Sequence, residues 1–574
     1  MEQRTEKIYR RIVEETDRDR IWSDIQALNQ WYRYTGTQAG EQAAAYIRRQ
    51  LTSCGVPVEW VQYPCYRSLP GEAYLELLDS EGRIPLTPYV YSGTAERLEG
   101  EMIFDVDSLR TDFPQKDMAA RLARLSGKLA LTYDNSYPFA IAASRAGVMG
   151  ILHIWTADLA HHGSIGGVWG SPGTDDLHRY PNLPFAEILR TDGEALLERL
   201  QKGPVSGRLT VRMENDIRTS SMPIAWIPGE SEDFVLVSGH YDGWYEGITD
   251  NACANASMLE LARLLWKHRD CLKRSVALAW WSGHSDGKYA GSTYYYDTHF
   301  EQLYAHCTAH INMDIAGCAT SDLVAFNTAG VEGTEHAMAW MREFNDQPPL
   351  PPIPMDRFAD QTFWGAHVPF AIMPRFNRRD LGGGIFYWWH TAEDTLDKVD
   401  LDVLYRDHCV IGRLACEFAA SERLPFDLDG FITQLESRLE HLKAGLHSAF
   451  SLEPVFDCLP AVRTCAARLS AAYAADTELE RLMVSFAGEL ARLAYTSTSP
   501  YEQSPANDRA QLPGLSRALG CTPENCTEAY FLALRTDFLR QRNRVSGQLR
   551  RLVERCETRL TLWQLEKQRR KEMQ

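Results

Sequence analysis

The chain has 574 residues, a formal net charge of −17 at pH 7, an apolar fraction of 44% and an aromatic fraction of 11%. This length exceeds a single hydrophobic core and predicts three or four domains of about 150 residues each. The acidic charge argues against a nucleic-acid partner, because binding phosphate requires concentrated Lys and Arg. No run approaches the ~18 apolar residues that a membrane span requires, so no membrane partner is expected.

Redox and targeting signals indicate a cytoplasmic location. Residues 1–22 are charged throughout and lack the apolar segment of a secretory signal. The thirteen Cys are scattered without metal-ligand spacing, which is typical of reduced thiols in a cytoplasm.

Residues 1–65 have the pattern of helices followed by a strand, and we assign them to the N-terminal part of a catalytic domain. From residue 66 to 205 short strands and turns predominate, which predicts an independently folded, β-rich insertion. The clearest elements of this insertion are strands at 74–78, 127–132 and 150–154 and a helix at 138–147.

The insertion contains histidines that invite a metal interpretation. His153, His161, His162 and His178 lack paired carboxylates and lie in a loop-rich segment, so we do not expect them to bind metal. The glycine-rich stretch His161–Pro172 is expected instead to act as a lid that shapes access to the site.

Residues 206–424 show longer apolar strands that alternate with helices. This pattern predicts an α/β domain with a mostly parallel sheet covered by helices on both faces. The predicted strands are 224–227, 234–237, 276–281, 310–313 and 368–373.

The segment 234–265 contains the strongest functional signal. A buried strand is followed by His240, Asp242 and Asp250 in a Gly-containing loop, and then by a helix. Open α/β sheets place their chemistry at the carboxyl ends of strands, and zinc binds imidazole nitrogen and carboxylate oxygen. The alternative is a polar loop whose Asp residues only cap turns and the helix.

Three further polar clusters also follow apolar runs. His284-Ser285-Asp286 comes after the strand that ends at Trp281, Asp314 follows the strand at 310–313, and His390 follows the run 386–389. A single polar side chain after a strand more often makes structural hydrogen bonds than binds a metal. Clusters in such succession indicate one shared site.

The order His240-Tyr241-Asp242, Asp250-Asn251-Ala252, Asp314 and His390-Thr391 resembles the zinc exopeptidase family typified by aminopeptidase Y and glutamate carboxypeptidase II. The resemblance implies that His240, Asp250 and Asp314 hold one zinc and that Asp250 and His390 hold a second. It also implies that Asp242 orients His240, and that the insertion is a protease-associated domain.

The chain departs from this family where the family has two adjacent glutamates, a general base and a zinc ligand. Here His284-Ser285-Asp286 stands in that place, with one extra residue before Gly291. Counting forward from Trp281 aligns His284 with the general base and Ser285 with the zinc ligand. Counting back from Gly291 aligns Ser285 with the general base and Asp286 with the zinc ligand. Since serine is a poor zinc ligand, we assign Asp286 to the second metal and His284 as the base.

Residues 425–574 are predicted to be helical, because apolar residues recur at helical spacing. In position this segment resembles the helical domain that forms dimers in glutamate carboxypeptidase II and the transferrin receptor. The apolar stripes predict either a homodimer interface or packing on the catalytic domain. They comprise Ile432, Leu435, Leu439, Leu442 and Leu446, and then Leu479, Leu482, Met483, Phe486, Leu490 and Leu493.

The sequence thus predicts a cytoplasmic hydrolase of C–N amide bonds that uses one or two zinc ions and acts on a peptide, most simply an aminopeptidase-type exopeptidase. One alternative is a catalytically silent binding or scaffold protein, as the transferrin receptor is within this family. Another keeps the metals but hydrolyses a small non-peptide amide, since the altered base position is compatible with a changed reaction.

Overall fold

The structure is a computed structural model that describes residues 2–381, 386–506 and 510–573. Its strands, in chain order, are β1 (Val58–Leu77), β2 (Ile84–Pro88), β3 (Ala95–Phe104), β4 (Leu129–Thr132), β5 (Gly150–Ile154), β6 (Phe185–Ile188), β7 (Ser206–Ile227), β8 (Ser231–His240), β9 (Arg274–Trp281), β10 (Cys307–Asn312), β11 (Leu323–Thr328), β12 (Ile353–Pro354) and β13 (Phe370–Asn377). Its α-helices are α1 (Glu2–Glu15), α2 (Arg18–Leu28), α3 (Gln38–Ser53), α4 (Met118–Leu125), α5 (Tyr137–Arg145), α6 (Arg190–Lys202), α7 (Cys253–Lys267), α8 (Ala290–Thr298), α9 (Phe300–His306), α10 (Thr334–Arg342), α11 (Leu401–Ala420), α12 (Leu428–Gly445), α13 (Glu453–Phe456), α14 (Leu459–Ala475), α15 (Glu480–Tyr495), α16 (Pro513–Ser516) and α17 (Glu528–Met573).

The catalytic part is built on a mixed sheet with a parallel centre. Strands β9, β8, β10 and β13 are adjacent and parallel, while β7 and β11 pair with its two sides in antiparallel orientation. Helix α7 connects β8 to β9, and α8 and α9 connect β9 to β10, as parallel neighbours require crossover connections. The predicted parallel region is therefore the middle of a larger mixed sheet.

Both faces of the central strands are buried. Successive side chains of a strand point to opposite faces, and those of β8 and β9 enter different apolar clusters. Val235 and Leu278 face a cluster with α7 and α11, whereas Leu236 and Ala279 face one with α8 and α9. Such two-sided burial is typical of parallel strands and explains their continuous apolar sequences.

The inserted segment extends from the catalytic sheet on a long antiparallel pair. Strands β1 and β7 pair from Val58 opposite Ala225 to Leu77 opposite Gly207. Beyond them β3, β4, β5 and β6 form a parallel array with its own buried core. The predicted strands and helix of the segment are present, and its identification as a protease-associated domain stays a prediction.

The C-terminal helices pack within the chain. All the residues of the two predicted stripes are buried except Leu446 and Leu482, which are half-buried, and all of them join the main core. The apolar spacing is therefore accounted for by intrachain packing, and the dimer stays a prediction. Across the described residues, no helix combines the length and apolar character needed to cross a bilayer.

Candidate metal centre

The parallel strands deliver the predicted site residues to one edge of the sheet. His240 is the last residue of β8, His284 follows β9 and Asp314 follows β10. Because these strands are parallel neighbours, their carboxyl ends lie side by side. The site is therefore a direct product of the strand order.

Four predicted ligands converge with spacings that suit zinc. His240 Nε2 lies 3.0 Å from Asp250 Oδ1 and 3.1 Å from Asp314 Oδ1. His390 Nε2 lies 3.4 Å from the other Asp250 oxygen, Oδ2. Two ligands at the usual zinc distances in a tetrahedral site are separated by about 3.3 Å. The donor set and its spacings therefore fit zinc, with Asp250 in the predicted bridging position.

The electrostatics of this group favour a cation. Burial alone lowers the pKa of His240, but the carboxylates of Asp314 and Asp250 outweigh burial and hold this pKa well above its ordinary value. Burial would raise the pKa of Asp250, yet contacts with His240 and His390 hold it well below its usual range. The carboxylates thus stabilise positive charge at His240 Nε2, and they would stabilise a metal cation bound there in the same way.

His284 also belongs to this group. Its ring stacks on the ring of His240 with centroids 3.7 Å apart and an interplanar angle of 11°. His240, His284 and Asp314 each offer a ligand atom within 4.8 Å of the others, which makes them a candidate metal cluster among the described residues. His284 Nδ1 is 2.6 Å from Asp360 Oδ2, a partner that sequence reasoning missed.

Asp286, the predicted ligand of the second metal, points elsewhere. Its Oδ2 accepts a hydrogen bond from the Thr35 backbone N–H at 3.1 Å, and among the described residues it does not enter the cluster of His240, His284 and Asp314. Burial and the nearby Asp242 raise its pKa to about 7. The backbone of His284 and Ser285 is tied to Asp242, so the next side chain turns towards Thr35. This orientation argues against the predicted ligand role.

Asp242 orients the site in a different way from that predicted. His240 Nδ1 donates to the Asp242 backbone carbonyl at 2.7 Å, while the nearest carboxylate oxygen is 3.9 Å away. The carboxylate accepts from the backbone N–H groups of Ser285 at 2.8 Å and His284 at 3.3 Å. Its main contribution is therefore to hold the loop that presents His284.

Asp250 is positioned by Asp394 and Arg33, two residues that lie far from it in the chain. The Asp394 carboxylate accepts from the backbone N–H of Asp250 at 3.0 Å and of Thr249 at 2.9 Å. Arg33, fully buried, donates to the carbonyls of Gly247 at 2.7 Å and Tyr241 at 2.8 Å. Together they fix the loop that carries Asp250.

The inserted segment supports His390, the second histidine predicted to bind metal. His390 Nδ1 donates to the His162 backbone carbonyl at 2.9 Å, leaving Nε2 towards Asp250. The His162 ring stacks on Trp244 at 4.4 Å, and neither His161 nor His162 enters the metal cluster among the described residues. The His162 backbone thus sets the orientation of the His390 ring.

A cavity of about 500 Å³ opens over the metal centre. The predicted lid supplies His161 to Ser164, and the catalytic part supplies aromatic and cationic side chains. The cavity could enclose a small peptide segment. Lining residues include Trp244, Lys288, Tyr289, Arg375, Phe376 and Trp389.

Residues 224–412 match peptidase family M28. This segment is an M28 domain. It holds β8 to β10 and all the predicted ligands, from His240 to His390.

Relatives of the M28 domain include exopeptidases. The probable glutamate carboxypeptidase VP8 of Zea mays is 23% identical over 508 residues, which cover 74% of this chain and 70% of that protein. Aminopeptidase NAALADL1 of Mus musculus is 25% identical over 313 residues, which cover 46% of this chain and 41% of the mouse protein. The chain thus spans less than half of the mouse relative.

Solved structures show the same fold around the M28 domain. An aminopeptidase from Aneurinibacillus sp. strain AM-1 has a TM-score of 0.56 at 20% identity and covers 73% of this chain and 98% of its own. BSAP, a zinc aminopeptidase from Bacillus subtilis, has a TM-score of 0.55 at 18% identity and covers 71% of this chain and 96% of its own.

Proposed function

We propose that this protein is a zinc-dependent hydrolase of peptide C–N bonds, of the aminopeptidase type. The observation that carries the proposal is the convergence of His240, Asp250, Asp314 and His390 at the strand ends of an M28 domain. The cavity above them is lined in part by the inserted segment and matches a short peptide in size.

His240, Asp250 and Asp314 would hold one zinc, and Asp250 and His390 would contribute to a second. When bound, zinc supplies a Lewis acid for the scissile carbonyl and an activated water nucleophile. The chain itself supplies the geometry. Asp242 and Asp394 hold the two loops, and the His162 carbonyl fixes the His390 tautomer.

The test joins metal content to peptide hydrolysis. Protein purified without chelator should contain at least one zinc per chain, and should release N-terminal amino acids from a panel of dipeptides and aminoacyl anilides. Asp314→Asn should lower both metal content and rate, while Asp346→Asn, on an exposed loop, should change neither. Zinc below about 0.2 per chain would indicate the silent alternative.

A changed reaction remains the second candidate, because no glutamate follows β9, where the resembled family has a pair. Zinc-loaded protein that leaves every peptide of the panel intact but hydrolyses N-acyl amino acids would identify the small-amide alternative. The assay should therefore include both classes of substrate.

We also propose a cytoplasmic location and a homodimer through the C-terminal helices. All thirteen cysteines are free thiols, which supports a reducing compartment. Exposed Leu562 and Leu565 on α17 would be covered in a dimer, and light scattering of the full chain tests this directly.

A further inference from the structure

The residue of the loop after β9 that faces the candidate metal centre can be identified from side-chain direction. Of His284, Ser285 and Asp286, the histidine reaches the metal cluster and the aspartate turns to Thr35. The His284 side chain is 12% exposed and lines the cavity over the metal centre. Its stacking on His240 brings its ring to the same edge of the sheet.

The tautomer of the His284 ring is set by its contact with Asp360. Asp360 is fully buried, and its Oδ2 lies 2.6 Å from His284 Nδ1. Its Oδ1 accepts a hydrogen bond from Ser292 Oγ at 2.6 Å. Because both Asp360 oxygens act as acceptors, the Nδ1 atom of His284 must carry the hydrogen that it donates to Asp360. The Nε2 atom of His284 then keeps a lone pair that can bind a metal. A carboxylate behind a histidine is the usual partner of a metal-binding imidazole.

Asp360 is held firmly in place. Its backbone is in the left-handed region with φ of 57°, a conformation that costs about 1 kcal/mol or more for a residue other than glycine. The Thr362 backbone N–H donates to its carbonyl at 2.8 Å. Thr362 Oγ1 bonds Ser292 Oγ at 3.0 Å and accepts from Trp169 Nε1 of the predicted lid at 3.0 Å. A strained, buried carboxylate aimed at the site indicates a functional constraint.

We propose that His284 is a metal ligand through Nε2, and that Asp360 is the positioning residue that keeps Nδ1 protonated for it. This inference rests on the proposed metal centre, and it groups His284 with His240 and Asp314, the residues proposed to hold the first metal. An imidazole there makes the ligand set richer in nitrogen, which favours Zn²⁺ and Co²⁺ over Mn²⁺.

The test measures metal binding without any substrate. Metal-free full-length protein is titrated with Co²⁺, whose absorption bands report coordination, and zinc per chain is measured by elemental analysis. His284→Ala should remove one bound ion per chain or weaken Co²⁺ binding at least 100-fold. Asp360→Asn and Asp360→Gly, both compatible with a positive φ, should weaken it about 10- to 100-fold.

Asp286→Asn is the matched control, because it alters a buried carboxylate of the same loop, and it should bind Co²⁺ like the parent. Loss of metal in Asp286→Asn but not in His284→Ala would overturn the assignment. Full metal binding by His284→Ala with kcat lowered about 10²- to 10⁴-fold would instead identify His284 as the general base. His284→Gln, closer in volume, provides the same comparison if the alanine variant unfolds.

The outcome is separable from the proposed function. A parent protein that binds metal through His284 but hydrolyses no peptide rejects only the peptidase proposal. An active parent whose His284→Ala variant keeps every metal ion rejects only the ligand assignment.

Discussion

The buried carboxyl group of Glu187 should make the inserted segment less stable as pH rises. Glu187 lies on β6, its Oε1 accepts from the His161 backbone N–H at 3.0 Å, and its Oε2 is buried without a hydrogen-bond partner, 3.8 Å from His161 Nδ1. Burial raises its pKa from 4.5 to about 8. The protonated acid is therefore the form that the folded protein prefers.

The magnitude follows from linkage. Because the folded-state pKa exceeds the unfolded value, the contribution to stability is fully present below pH 4.5 and is lost as pH rises towards 8. At pH 7, about 2.5 units above the unfolded pKa, the carboxyl group ionises in the unfolded chain but stays mostly protonated in the folded chain. This difference lowers the free energy of unfolding by about 3 kcal/mol. Most of this loss falls between pH 5 and about pH 8.

Glu187→Gln keeps the shape of the neutral acid and cannot ionise. In urea unfolding followed by tryptophan fluorescence, the variant should match the parent near pH 4 and exceed it by about 3 kcal/mol near pH 7. Glu198→Gln, on the exposed side of α6, is the control and should leave the pH profile of the parent unchanged. Equal pH profiles for the parent and Glu187→Gln would refute the reasoning.

Further predictions concern the supports of the metal centre. Arg33→Met removes three buried hydrogen bonds to carbonyls and should lower the free energy of unfolding by about 3–5 kcal/mol in urea titration. A loss below about 1 kcal/mol would show that Arg33 does not fix the loop that carries Asp250. His162→Ala keeps the carbonyl that holds His390 but loses the stack on Trp244, so zinc content should stay constant while KM rises several-fold; loss of zinc would make the ring itself a ligand. Removing zinc with chelator should lower stability by about 4 kcal/mol when free zinc was 1,000 times Kd, and zinc alone should restore it; an unchanged melting temperature would exclude tight binding.

The position of the inserted segment has a consequence for engineering the protein. The His162 carbonyl lies in the predicted lid, yet it fixes the ring of His390. Removing the whole stretch 161–172 would therefore disturb the metal centre as well as the access path. A deletion limited to 163–168 preserves that carbonyl and also Trp169, which bonds Thr362 beside Asp360, so it should raise KM while leaving zinc content unchanged.

The sequence by itself determined the strand positions and most of the residues that converge at the candidate metal centre. The spacing of apolar residues and the length of an apolar run are local properties of the sequence. The runs before His240, before Asp314 and before the loop that follows β9 could therefore be identified without tertiary structure. The chain order of histidines and aspartates then pointed to the zinc exopeptidases, and the match to family M28 confirmed that resemblance. Asp250 and His390 came with it because they belong to the same motifs.

Only the tertiary structure decided which residue of His284-Ser285-Asp286 faces the metal centre. Neighbouring side chains in a loop can point in any direction, and here the direction depends on Asp242 and Thr35, which lie far away in the chain. Likewise Asp360 meets His284 across 76 residues, and the His162 carbonyl meets His390 across 228. Such contacts arise from strand order and domain packing, so they leave no periodic pattern or spacing from which a sequence could predict them.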